Sequence, residues 1–144
     1  MSLIFISASS GAGIYVLSED HCPPHVHARH RREGWVARVG FSFIHDEIEL
    51  MSIDSNRNAP SSRVVDRLLD EIEARLTDCR KTWWRIRQST CLANQWAIVR
   101  APGRVDLTST RTPPARQIAD CRYDPIAALA RVSFRDGTIE DVKL

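Results

Sequence analysis

The chain is 144 residues long, 43% apolar and 26% charged, with a formal net charge of +2. That length suits one domain, or one domain with a small appendage, and buries a core without needing a disulfide or metal staple. No apolar run approaches the roughly 18 residues that cross a bilayer, so no membrane partner is expected, and the net charge is too small to imply nucleic-acid binding by itself.

The opening "MSLIFISASSGAG" has an apolar patch but no basic segment before it, so it reads as a strand and turn and not as a signal peptide. Its four cysteines, Cys22, Cys79, Cys91 and Cys121, are scattered without a CxxC pair. Free thiols in a reducing, cytoplasmic setting are the simplest expectation.

In chain order, "LIFIS" and "GIYVLSE" are expected as short strands joined by a glycine turn. "WVARVGFSF" alternates Trp35, Ala37, Val39, Phe41 and Phe43 with polar or smaller residues, the period of a half-buried strand. "DEIELMSI" continues as another strand. Ser61 or Ser62 then caps a helix running through "RVVDRLLDEIEARLTDCRKTWWRIRQ". Val65, Leu68, Leu69, Ile72, Leu76, Cys79, Trp83 and Ile86 share one stripe of it. "WAIV" reads as a strand and "TSTRTPPAR" as a linker. The end holds two alternating strands around Asp136-Gly137, a hairpin turn signal. The expected fold class is α+β: a mainly antiparallel sheet packed by one long helix, with a C-terminal β-hairpin appendage. The corresponding boundaries are a domain over 1–108, a linker over 109–116 and a hairpin unit over 117–144.

The chemistry-bearing stretch is "HCPPHVHARHRRE", which holds four of the five histidines, His21, His25, His27 and His30. Pro23 and Pro24 stiffen the backbone. If a strand follows Pro24, His25 and His27 project from one face, with His21 able to return to the same side. Such imidazoles suit a divalent metal, acid–base catalysis or phosphate binding aided by arginine. The candidates are His25, His27 and His21 as catalytic or metal-holding groups. Arg29, His30, Arg31 and Arg32, with Arg85 and Arg87 beside the Trp83-Trp84 pair, are candidates to bind phosphate or nucleic acid. The alternative is that the histidines bond backbone groups and fix a hairpin.

His21, Pro23, Pro24, His25, His27 and Ala28, followed by a helix with Trp83 or Trp84 near its end, resemble the small bacterial family catalogued as domain of unknown function 4160, over residues 3–90. Residues 115–144, with Phe134, Arg135, Asp136 and Gly137, look like the opening hairpin of domain of unknown function 2442. The two are often paired as a toxin–antitoxin system. The resemblance implies a small accessory or toxin-like protein of a bacterium, phage or mobile element that meets a cognate antitoxin-like partner. Action on RNA or a nucleotide is the expectation from the stiff histidine motif and the basic run beside it. The competing expectation is a non-catalytic module that binds a protein or nucleoprotein partner, in an antitoxin-like or anti-defence role.

Overall fold

The computed structural model describes residues 1–144. The chain divides into two compact units: Met1–Phe41 with Glu47–Arg87, and Ser42–Asp46 with Gln88–Leu144. No helix is long and apolar enough to cross a membrane.

The first unit holds an antiparallel meander in the order β1 (Ser2–Ile6), β2 (Gly13–Val16), β3 (His25–His30), β4 (Trp35–Gly40) and β5 (Glu49–Ser55). Cross-strand partners project to the same face, so the register sorts the side chains. Ile14 faces Ala28, Ala28 faces Ala37, and Val26 faces Val39. These residues are fully buried, and removing each valine or isoleucine side chain from water stabilises the fold by about 1.5–3 kcal/mol. On the opposite face Tyr15, His27 and Arg38 stand in one cross-strand row. A polar row backed by an apolar one is what positions the site described below.

The expected single long helix is two helices, α1 (Ser62–Ala74) and α2 (Leu76–Arg87). Ser61 caps the first, its hydroxyl accepting the Val64 N–H. Arg75 makes the break, with φ −118° and ψ 23°. Its N–H closes a tightened turn on the Ile72 carbonyl at 2.9 Å, while its own carbonyl accepts the Cys79 N–H at 3.1 Å and opens the next helix. Its guanidinium donates to Asp78 at 2.9 Å and lies 4.8 Å above the Phe5 ring. Side-chain contacts to β1 and to the next turn thus accompany the departure from helical geometry. The apolar stripe does not register the break: Val65, Leu68, Ile72, Leu76, Cys79 and Trp83 are all buried across it.

α1 is also tied to the β1–β2 turn. The Glu71 carboxylate accepts hydrogen bonds from the Ser7 and Ser9 hydroxyls and from the Ala8 and Ser9 amides. Burial works against its charge, but the hydrogen bonds from Ser9, Ser7 and the two amides outweigh it and hold its pKa below the ordinary carboxyl value of 4.5. A depressed carboxyl contributes stability that is complete above the unfolded value and lost as pH falls through the lower folded one. Glu71→Gln should therefore flatten part of the stability decline below about pH 4.5. Denaturant midpoints of both proteins from pH 6 to pH 3 check this; parallel curves would show that Glu71 has no part in acid unfolding.

The second unit is a five-stranded antiparallel sheet in the order β10, β9, β8, β6, β7. Its strands are β6 (Trp96–Ala101), β7 (Arg104–Thr108), β8 (Arg116–Asp124), β9 (Leu129–Phe134) and β10 (Ile139–Lys143). The Asp136-Gly137 turn forms as expected: Gly137 sits at φ +88°, where a side chain is disfavoured, and the Asp136 carboxylate accepts the Thr138 N–H at 2.9 Å. The terminal hairpin is not an appendage, because β9 pairs with β8 and β8 with β6. β6 and β7, which the sequence pattern places in the domain over 1–108, belong to this unit. The sheet curls enough for the Gly103 N–H, in the β6–β7 turn, to donate to Glu140 of β10 at 2.6 Å. Ile118, Val132 and Val142 lie in its core, and Phe43 meets Tyr123 edge-on at 4.9 Å.

Candidate functional site

The site begins in the turn after β2. The Asp20 N–H donates to the Leu17 carbonyl at 3.2 Å, and the Leu17 N–H donates back to Asp20 Oδ2 at 2.8 Å. This reciprocal pair fixes the carboxylate, leaving Oδ1 directed at β3. The proline pair then delivers the chain into β3, where His25 and His27, two residues apart, project on one face.

Asp20 Oδ1 lies 2.9 Å from His27 Nε2 and 3.4 Å from His25 Nε2. His25 Nδ1 is 2.8 Å from the Pro23 carbonyl. A carbonyl can only accept, so Nδ1 carries a hydrogen and Nε2 is the ring nitrogen directed at Asp20. The two imidazoles meet edge-on at 5.0 Å, and His25 rests 5.5 Å from the Trp83 ring. Asp20, His25 and His27 are each only 7% exposed. One ligand atom from each lies within 4.8 Å of the other two, a group able to hold a metal ion.

His27 also forms part of the wall of a cleft of about 270 Å³, together with Tyr15, Arg29, Val36, Arg38 and Asp54. The buried centre thus has one member on a surface recess that is lined by two guanidinium groups. Tyr15 folds back over Gly13 so closely that a Cβ there would stand 2.6 Å from its ring. Glycine at that position lets the phenol lie along the sheet.

The expected candidates separate on this frame. His25 and His27 come together, whereas His21 is exposed and outside the converging group. His30 serves the β3–β4 turn: its Nδ1 accepts the Glu33 N–H at 3.0 Å and its ring lies 5.5 Å from Trp35. Arg29, His30 and Arg31 line a broader groove of about 650 Å³ with Trp35, Asp54 and Asn56. Arg32 is exposed, and its carbonyl accepts from Arg57. Arg85 donates to the Ser2 hydroxyl at 2.8 Å and Arg87 to the Ser18 carbonyl at 3.1 Å, so both are engaged within their own unit.

Tyr15 and Asp54 join the site without having been singled out from the sequence. Asp20 was adjacent to the histidine segment, but only the Leu17–Asp20 turn brings its carboxylate inward. Tyr15 and Arg38 depend on strand register, which a sequence pattern specifies weakly. The cysteines supply no nucleophile from the free pair. Burial pushes the Cys79 thiol up to about 12 and the Cys121 thiol up to about 11, so neither carries appreciable thiolate at neutral pH. Cys22 and Cys91 correct the free-thiol expectation, since both are disulfide-bonded. The cytoplasmic expectation loses that part of its basis.

No family model matches the chain, no curated protein is detectably similar to it, and no solved structure matches it. What the site can do is argued from its own side chains.

Proposed function

We propose that the first unit is a toxin-like enzyme, of a bacterium or mobile element, acting on the phosphates of RNA or a nucleotide. The observation that carries this is the placement of His27, which belongs at once to the buried Asp20–His25–His27 centre and to the wall of a cleft bearing Arg29 and Arg38. Guanidinium groups suit phosphate because they offer several donors in a planar fork. The centre beneath them would activate an oxygen for attack on phosphorus, the bond to the leaving-group oxygen breaking as the new bond forms and that oxygen taking up a proton, with Asp20 holding His27 in place. Tyr15 offers a ring on which a base can stack.

The test is turnover of RNA by the purified full chain, followed beside growth after induced expression. The wild type should degrade or modify RNA and slow growth. Arg38→Ala should raise the substrate concentration for half-maximal rate by about 10-fold, the loss of one charged hydrogen bond, with little change in the rate at saturation. A folded wild-type chain that leaves total RNA and nucleotides intact would sink the proposal.

A second reading rests on β5. It is an outer strand of its sheet, and Leu50, Met51 and Ile53 on it are each more than a third exposed. Exposed apolar residues on an open edge suit strand addition by a protein partner, here an antitoxin-like one. Stable complex formation by a chain without turnover is the outcome that favours this reading.

A further inference from the structure

We propose that Asp20 Oδ1, His25 Nε2 and His27 Nε2 form a binding site for one borderline divalent transition ion of the Zn²⁺ type. The inference deepens the reading above by naming what activates the attacking oxygen, and it rests on that reading only for the substrate.

Several observations converge on it. Ligand bonds of about 2.0–2.2 Å place neighbouring donors roughly 3.0–3.5 Å apart around such an ion. The Asp20–His25 separation of 3.4 Å falls within that spacing, and the Asp20–His27 separation of 2.9 Å, a hydrogen-bond distance, lies just short of it. The donor set of two imidazoles and one carboxylate is that of catalytic ions, which keep a further position open for water or substrate. It is a poor set for Mg²⁺ or Ca²⁺, which call for oxygen ligands.

The surroundings are arranged as a metal site requires. A ligating histidine generally donates its other ring N–H to a carbonyl or carboxylate, which orients the ring. His25 does so, with Nδ1 on the Pro23 carbonyl at 2.8 Å. The carboxylate is held in turn by the Leu17 N–H on its second oxygen. Trp83 lies against His25, and the centre is largely shielded from water. Of the three residues, His27 lines the cleft, which would give an ion access from the surface. A bound ion would take the place of the hydrogen between His27 Nε2 and Asp20 Oδ1. Held there, the ion would polarise a water oxygen, whose bond to phosphorus would form as the bond to the leaving-group oxygen breaks and that oxygen takes up a proton.

Untagged full-length protein, freed of metal by chelation, would be titrated with Zn²⁺ and Co²⁺, and with Mg²⁺ and Ca²⁺ as controls. The expected result is about one Zn²⁺ or Co²⁺ per chain, visible absorption from bound Co²⁺, and no comparable binding of the two hard ions. Asp20→Asn and His27→Gln should each weaken binding by at least ~10–100-fold. His21→Ala and His30→Ala should leave it unchanged, because neither ring belongs to the converging set. Absence of saturable Zn²⁺ or Co²⁺ binding to the folded wild type would overturn the inference whatever the variants do. Binding lost in His21→Ala or His30→Ala, yet retained in His27→Gln, would overturn it equally. Ion binding without RNA turnover upholds the site and refutes the substrate reading. Turnover that persists in chelated, metal-free protein refutes the ion as what activates the attacking oxygen and keeps the substrate reading.

Discussion

Trp83→Ala should destabilise the protein by about 3–5 kcal/mol, as expected for deleting a large aromatic side chain from a packed interior. Trp83 is fully buried. Its ring lies 5.5 Å from His25 and meets Phe41 edge-on at 6.2 Å with an interplanar angle of 89°. Such edge-to-face pairs add about 0.5–1.5 kcal/mol to the area term. The consequence reaches beyond stability, because the void opens beside His25 and frees its ring from one of the surfaces that holds it. Trp83→Phe, which keeps an aromatic ring and leaves a smaller void, should cost less than half as much. Denaturant unfolding of the three proteins measures this. A loss below about 1 kcal/mol for Trp83→Ala would mean that the α2 anchor against the histidines is not as tightly packed as the distances imply.

His27→Ala should lower the turnover of RNA by about 10²–10⁴-fold, the range for removing a group that moves a proton or holds the reactive oxygen. The argument is positional. His27 is the member of the buried centre that also lines the cleft, so a bound phosphate meets it first. His30→Ala is the matched control. That ring sits on the same strand, but it bonds the Glu33 amide and serves the turn. Single-turnover rates on saturating RNA, with thermal midpoints taken on the same samples, separate chemistry from folding. A His27→Ala protein that is folded and retains most of the wild-type rate would remove His27 from the mechanism.

The contrast between His27 and His30 shows how far a local pattern reaches. Both are in the same short segment, and both looked able to contribute chemistry. Their roles diverge because the strand from His25 to His30 ends in a tight turn, and the last imidazole is drawn into capping it. Arg85 and Arg87 diverge from Arg29 for a similar reason. Each is basic and flanks an aromatic pair, yet their guanidinium groups are taken up by the Ser2 hydroxyl and the Ser18 carbonyl. Composition shows how many charges are present, whereas packing decides which of them face a ligand.

The helix break at Arg75 is a parallel case. Periodicity reports only which side chains are apolar, and the stripe from Val65 to Trp83 keeps its spacing through the interruption. The break is accompanied by contacts of one arginine with Phe5, far away in sequence, and with Asp78. β8 was equally hard to foresee. It alternates buried Ile118, Cys121 and Tyr123 with charged residues, but a register shift between Ile118 and Asp120 interrupts the period of two.

The sequence by itself determined the α+β class with antiparallel strands, a serine cap at 61 or 62, the Asp136-Gly137 turn and the pairing of His25 with His27 on one face. Each follows from short-range geometry, since alternation, capping and turn preferences act within a few residues. Tertiary structure alone decided that Asp20 and not His21 completes the centre, because a hydrogen bond to Leu17 turns the aspartate inward. It also decided that Tyr15 and Arg38 flank His27, because neighbouring strands set that row by register across the sheet. A chemical site needs atoms converging within a few ångströms from separate strands and turns, and that convergence is a property of the packed chain.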